Sequence, residues 1–333
     1  MTAEFQALEV NKGEAFTIGI RSLTLDDLPQ GEVLIKVAYS SVNYKDGLAS
    51  IPDGNIVRNY PFIPGIDLSG YVVSSTDARF QEGQKVLATG YGIGVSHFGG
   101  YSEYARLPAE WVVPLPEGLS LREAMIYGTA GFTAALSIKH LEEKGVSPEK
   151  GKVLVTGASG GVGGAAVAML AQKGYTVVAG TGRSEEAGYL RELGASEVLS
   201  REEIYAGGSV KPLDKQLWQA AVDPVGGAQL AAVLSRIAYR GAVAVSGLTG
   251  GTAVPASVLP FILRGVSLLG IDSVMCPAAE REELWKLMAN SWKPEQLDKL
   301  VNREVTLAEL PQTLADILRS ATRGRVLVRL AGE

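Results

Sequence analysis

A chain of 333 residues, 46% hydrophobic and 20% charged, has the composition of a soluble globular protein and enough length for two domains with separate cores. Its 31 basic and 36 acidic side chains leave a net charge of −5, which argues against nucleic acid or an anionic membrane surface as partner. One cysteine (Cys276) and two histidines (His97, His140) exclude an intrachain disulfide and are too few for the usual ligand sets of a structural or catalytic zinc site.

The first residues, Met1-Thr-Ala-Glu-Phe-Gln, carry neither a basic region nor an apolar stretch, so no leader is expected. No apolar run approaches the roughly 20 residues of a membrane helix, and the expected location is the cytoplasm. Residues 1–122 read as short strands and turns. Strands are predicted at 33–39, 70–74, 85–89 and 111–113, punctuated by Pro29-Gln-Gly31, Pro61, Pro64-Gly65, Glu82-Gly83 and 114–118. A barrel-like β domain fits that pattern. Within it, Ser40-Ser-Val-Asn-Tyr-Lys-Asp46 is the polar segment most suited to chemistry. Tyr44 is a candidate proton donor, and Asn43 and Asp46, spaced i and i+3, are candidates to orient it or a water. A capped turn with a half-buried tyrosine explains the same residues. His97, in a glycine-rich loop, is read either as lining a pocket or, as loop histidines mostly do, as facing solvent.

From Ser120 the texture changes. A helix is predicted over 123–141. Strands at 153–156, 176–180, 197–199, 219–222 and 241–246 then alternate with helices at 161–173, 184–193, 213–217 and 227–238. This rhythm predicts a doubly wound parallel sheet. A strand at 267–271, a helix at 280–290 and a strand at 324–329 follow, the last returning to the first domain. The predicted division is therefore 1–122 with 300–333 for the β domain and 123–299 for the α/β domain.

The stretch Val153-Leu-Val-Thr-Gly-Ala-Ser-Gly-Gly-Val-Gly163 says most about function. It is a buried strand, a glycine turn and a helix start, the context that a dinucleotide-binding fingerprint requires. The glycines at 157, 160 and 163 let the backbone come close to a pyrophosphate, whose charge then meets the free N–H groups of the helix. The next strand ends in Gly180-Thr-Gly-Arg183 and not in the acid that would hold a ribose diol. Thr181 and Arg183, with Arg201 one strand later, suit a 2′-phosphate, so NADPH is the expected cofactor. A solvated arginine at a helix start is the competing reading of Arg183. Backbone groups near Leu248, after the strand at 241–246, are candidates for the nicotinamide carboxamide. Gly128-Thr-Ala-Gly-Phe-Thr133 offers two hydroxyls one turn apart, with Thr133 the candidate contact, or else close helix packing through small residues.

Several of these motifs fall together in an order that resembles a known family. Asn43-Tyr-Lys-Asp46, Arg58-Asn-Tyr-Pro-Phe-Ile-Pro-Gly-Ile-Asp67, Gly128-Thr-Ala-Gly-Phe-Thr133, Thr156-Gly-Ala-Ser-Gly-Gly-Val-Gly163, Pro260-Phe-Ile-Leu-Arg264 and Gly270-Ile-Asp-Ser-Val-Met275 resemble the zinc-free medium-chain dehydrogenase/reductases, quinone oxidoreductase-like. Within that family the chain is most similar to the NADPH-dependent acryloyl-CoA reductase group. Ile66-Asp67 stands where zinc-dependent relatives carry a His-Glu pair. The resemblance implies a GroES-like β-barrel domain plus a Rossmann domain, and NADPH contacts from Tyr44, Ser159 to Val162, Thr181 to Arg183, Arg201, Leu248 and Arg325. Residue types and spacing alone would not select Tyr44 or Arg325 for the cofactor, and Tyr44 is then either proton donor or cofactor contact.

The expected activity is reduction of the 2,3-double bond of a short enoyl-CoA, with hydride to Cβ and a proton to Cα from Tyr44 or an ordered water. A reductase of quinones or 2-alkenals is the nearer rival. A non-catalytic NADPH-binding sensor or structural protein is the more distant one. The apolar late strand at 267–271 suggests edge-to-edge pairing in a homodimer.

Overall fold

The computed structural model describes residues 4–205 and 210–330. The chain forms two compact units. The first holds the residues up to Thr129, Val274–Ala289 and the residues from Val301 on; the second holds Ala130–Ser273 and Asn290–Leu300.

The first unit opens with an antiparallel hairpin, β1 (Glu4–Lys12) and β2 (Phe16–Thr24). It continues with β3 (Val33–Ser41), α1 (Tyr44–Ala49), β4 (Asp67–Ser75), β5 (Lys85–Thr89), β6 (Tyr104–Leu107) and β7 (Val112–Pro114). Helix α2 (Leu121–Glu143) carries the chain into the second unit. There follow β8 (Val153–Val155), α3 (Gly161–Gln172), β9 (Val177–Thr181), α4 (Ala187–Glu192), β10 (Glu197–Ser200), α5 (Arg201–Tyr205), β11 (Trp218–Asp223), α6 (Gly227–Arg236), β12 (Ile237–Val245), α7 (Leu259–Arg264) and β13 (Ser267–Gly270). The first unit is completed by α8 (Ala278–Ala289), β14 (Val301–Val305), α9 (Leu310–Leu318) and β15 (Arg325–Arg329).

In the first unit the strands run β14-β15-β3-β4-β5-β7, with β6 also paired to β3. All of these pairs are antiparallel except β14 with β15. Val33, Ile35 and Val37, alternate residues of β3, pack with Leu68, Val72 and Val86 in one apolar core, as the two-residue period of a strand dictates. In the second unit six parallel strands run β10-β9-β8-β11-β12-β13. The chain leaves β8 toward β9 and β10, then returns to β11 on the other side of β8. That reversal is the switch point where open α/β sheets bind ligands. Among the described residues no helix is long and apolar enough to cross a membrane.

Three details differ from the sequence reading. Residues 213–217 form no helix, because the backbone there is held by the ends of α6 and α7: Asp214 N–H donates to Ser235 O, Leu217 N–H to Arg236 O, and Arg264 donates to Asp214 O. The segment 184–193 splits into a 3₁₀ turn (Ser184–Glu186) and α4. Helix α8 belongs to the first unit: its Arg281 bonds to Thr89 Oγ1 and Val274 O, and Trp285 packs edge-on against Tyr127.

Candidate cofactor and active site

The glycine turn after β8 has the geometry that its spacing predicts. Gly157 sits at φ +54°, and a Cβ on Gly163 would fall 2.3 Å from Gly157 O. Only glycine at 163 lets the helix start close against the turn. Helix α3 begins after Gly160, with no side chain capping it, so its first N–H groups face outward for an acceptor.

Ser159, Thr181 and Arg183 are brought together at the end of β9. Ser159 Oγ lies 3.1 Å from Thr181 Oγ1, and Arg183 donates from Nε to Ser159 Oγ (3.3 Å) and from Nη2 to Ser159 O (3.1 Å). Thr181 Oγ1 also accepts the Arg183 N–H at 3.0 Å. Arg201, at the start of α5, lies across Gly182: a Cβ there would sit 2.6 Å from Arg201 Nη2. Two guanidinium groups and two hydroxyls thus surround a strand end that carries no acid. The donors fit a phosphate monoester on the adenosine ribose.

The ends of β12 and β13 frame a pocket of about 490 Å³, lined by Ser246, Gly247, Leu248 and residues 270–272 among others. Leu248 is 57% exposed there, and its carbonyl accepts the Gly251 N–H at 2.9 Å. Asp223, at the end of β11, turns the chain by accepting the N–H groups of Val225 and Gly226 at 2.7 Å each, and burial raises its pKa. Thr133 is buried and its hydroxyl donates to Ser273 Oγ at 2.8 Å, while Thr129 N–H serves Asp67. The two hydroxyl residues therefore do different work.

In the first unit the Asn43–Asp46 segment is part of a buried polar cluster. Asp46 is 0% exposed; its two oxygens accept the N–H groups of Asn43 (2.9 Å) and Ile66 (3.0 Å). Asp67 accepts from Ser41 N–H and Oγ, from Asn43 Nδ2 (2.8 Å) and from Thr129 N–H (2.9 Å). Arg325, 2% exposed, donates to Ile126 O, Val42 O, Asn43 Oδ1 and Ser41 Oγ. Burial, with the Asp67 charge second, raises the Asp46 pKa to about 7, against the pull of the two backbone N–H groups. Tyr101, which donates to Ser41 O, is pushed well above its ordinary value, chiefly by burial and then by the same two carboxylates.

The residues expected at the site fall in different surroundings. Asp46 is fully buried, with one backbone N–H on each oxygen, and its i, i+3 spacing with Asn43 anchors the start of α1, so it bears on Tyr44 through the backbone. Asn43 is buried with its amide bonded to Asp67 and Arg325, so it too belongs to the framework. Arg325 directs its guanidinium into the cluster and presents none of it at the surface. Tyr44, by contrast, is the first residue of α1 and 39% exposed. His97 is half-buried, not solvent-facing: its Nε2 sits 2.7 Å from Arg106 O, and burial lowers its pKa. The sequence reading assigned no role to Asp67 and Ser41. The available signal was a carboxylate set between apolar residues in Ile66-Asp67-Leu68, which demands internal partners when buried. Among the described residues no three His, Cys, Asp or Glu side chains gather as a metal site would require.

Residues 29–117 match the alcohol dehydrogenase GroES-like domain family, and residues 161–290 match the zinc-binding dehydrogenase family. The chain is 60% identical to Bacillus subtilis protein YhfP, named only provisionally as a quinone oxidoreductase; its crystal structure with NAD bound superposes with a TM-score of 0.97, covering 99% of this chain and 100% of that one. Acrylyl-CoA reductase AcuI of Ruegeria pomeroyi is 50% identical, over 97% of this chain and 98% of that protein. The yhdH oxidoreductase of Salmonella enterica, crystallised with NADP, is 47% identical with a TM-score of 0.94, covering 97% of this chain and 99% of that one.

Proposed function

The chain belongs to the zinc-free medium-chain dehydrogenase/reductase family, and from that premise we propose that it is an NADPH-dependent reductase of the 2,3-double bond of short enoyl-CoA thioesters such as acryloyl-CoA. The observation that carries the cofactor is the grouping of Ser159, Thr181, Arg183 and Arg201 at an acid-free strand end. The yhdH relative crystallised with NADP supports it. The substrate class rests on the Ruegeria relative, which matches over nearly the whole chain.

NADPH, when bound, supplies a hydride to the β-carbon of the alkene. The glycine turn and the N–H groups opening α3 hold its pyrophosphate, and Arg183 and Arg201 grip the 2′-phosphate. Backbone groups at Leu248 position its carboxamide. Tyr44 has the accessible phenol and gives the α-carbon its proton, completing a neutral saturated thioester. Asn43, Asp46, Asp67 and Arg325 hold the start of α1, and with it Tyr44, in a fixed place. The working form is a homodimer joined along the open edge of β13.

Steady-state oxidation of NADPH with acryloyl-CoA, a free 2-alkenal and a quinone tests the assignment. A kcat/KM for acryloyl-CoA well above the others is expected. A preference for the quinone or the free enal establishes instead the second reading, which the provisional name of the Bacillus relative favours.

A further inference from the structure

The first unit contains a pocket that the cofactor reading does not use. It measures about 420 Å³ and is lined by Lys45, Asn55, Arg58, Asn59, Phe62 and Ser96 among others, a volume in the range of small-molecule sites. Lys45 stands on α1 between Tyr44 and Asp46; Arg58 stands on the loop leading to β4. Neither cation has an ion pair or hydrogen bond among the described residues, and no carboxylate lines the pocket. In a chain with five more acidic than basic side chains this is a local reversal of charge. Two uncompensated cations facing one cavity repel each other and are stabilised by an anion between them. A guanidinium fork, an ammonium, two carboxamides and a hydroxyl are the donors that phosphate oxygens take. Phe62, packed edge-on against Phe98 at 5.6 Å, adds an apolar wall of the kind a purine requires.

We infer that this pocket is the subsite for the phosphorylated nucleotide end of the thioester substrate, with Lys45 and Arg58 binding its phosphates. The inference rests on the enoyl-CoA reading and names the part of the chain that would distinguish a CoA thioester from a free enal. Because Lys45 and Tyr44 are consecutive, the same short helix serves the phosphates and the reacting alkene.

The test uses the whole protein, a Lys45→Ala/Arg58→Ala variant and two nucleotide probes followed by calorimetry. Adenosine 3′,5′-bisphosphate, the nucleotide end of CoA, should bind the variant at least tenfold more weakly than the wild type. Adenosine 2′,5′-bisphosphate, the corresponding part of NADPH, should keep its affinity in that variant and lose it in Arg183→Ala. In turnover, the preference in kcat/KM for acryloyl-CoA over acryloyl-pantetheine, which has no nucleotide, should fall by about tenfold or more in the variant, and the wild-type KM for acryloyl-CoA should rise with salt. Equal losses on both thioesters, or unchanged binding of the 3′,5′-bisphosphate, would overturn the subsite. Should the wild type bind the 3′,5′-bisphosphate through Lys45 and Arg58 but reduce no CoA thioester, the subsite would stand and the proposed reaction would fall.

Discussion

Arg183 donates twice from its guanidinium to Ser159 and once from its backbone N–H to Thr181 Oγ1, so its guanidinium is already placed before any nucleotide arrives. A pre-placed fork loses little side-chain entropy on gripping a phosphate. A charge-assisted bond of this type is worth about 1.5–3 kcal/mol, or roughly ten- to hundredfold in affinity. Arg183→Ala should therefore raise the KM for NADPH by about that factor while leaving the KM for NADH nearly unmoved; equal effects on the two nucleotides would remove the 2′-phosphate assignment. Tyr44→Phe separates two roles. A fall in kcat of about a hundredfold at unchanged NADPH affinity identifies a proton donor, whereas weakened NADPH binding with kcat preserved identifies a cofactor contact. The glycine turn and Arg183 were legible in the sequence because their geometry is local: a strand, a turn and the next strand end determine it. The partners of Asp46 and Arg325 were not, since Ile66 and Ile126 are brought to them only by tertiary packing.

Helix α2 shows how an element can be read correctly in outline and miss its most informative residue. The apolar spacing over 123–141 gives a helix, and Leu121–Glu143 is helical apart from Gly128, which sits at φ 50° and ψ −153°. A side chain at that residue would meet Ser41 Oγ, Arg325 Nη2 and Asp67 Oδ2 at 2.6–2.7 Å. The break thus lets backbone approach the buried cluster and turns Thr129 N–H onto Asp67. Gly128→Ala combines a left-handed φ with steric conflict against charged groups, and should lower stability by about 2–4 kcal/mol in chemical denaturation. A cost under about 0.5 kcal/mol would show that the approach is unimportant. The segment 213–217 erred in the opposite direction. Its composition suits a helix, but hydrogen bonds to Ser235 and Arg236 fix it as an extended approach to β11. Local propensity yielded there to partners distant in the sequence.

The whole molecule should register the proton held at Asp46. Its pKa rises from 3.8 to about 7 in the folded chain, so between those values the native state keeps a proton that the unfolded state has released. Stability therefore falls as pH rises through that window, and the contribution is lost above about 7. Asp46→Asn should flatten the dependence: urea midpoints of the wild type should drop from about pH 5 to pH 8 more steeply than those of the variant, and parallel curves would exclude the shifted group. Association is the second property at this level. Strand β13 ends its sheet, Leu268 on it is 40% exposed, and Val258, Ile262 and Leu263 just before it are exposed as well. The protein should elute at twice its 35.1 kDa mass, and Leu268→Lys, which places a charge on the open edge, should shift it toward the monomer. An unaltered mass would place the contact elsewhere. The alternation of strands and helices made the second unit's sheet legible, whereas α8 was assigned to the wrong unit because nothing in its own pattern names the surface it packs on.

Arg325 lies some 280 positions after Ser41, and its guanidinium donates to Ser41 Oγ and Asn43 Oδ1, the two side chains that in turn donate to Asp67. A ribosome must therefore release the chain through β15 before Ser41 and Asn43 gain that partner. Until β15 docks beside β3, the residues that lead into α1 lack this donor, so competence for chemistry at Tyr44 should appear only once β15 is in place and should disappear when that strand frays.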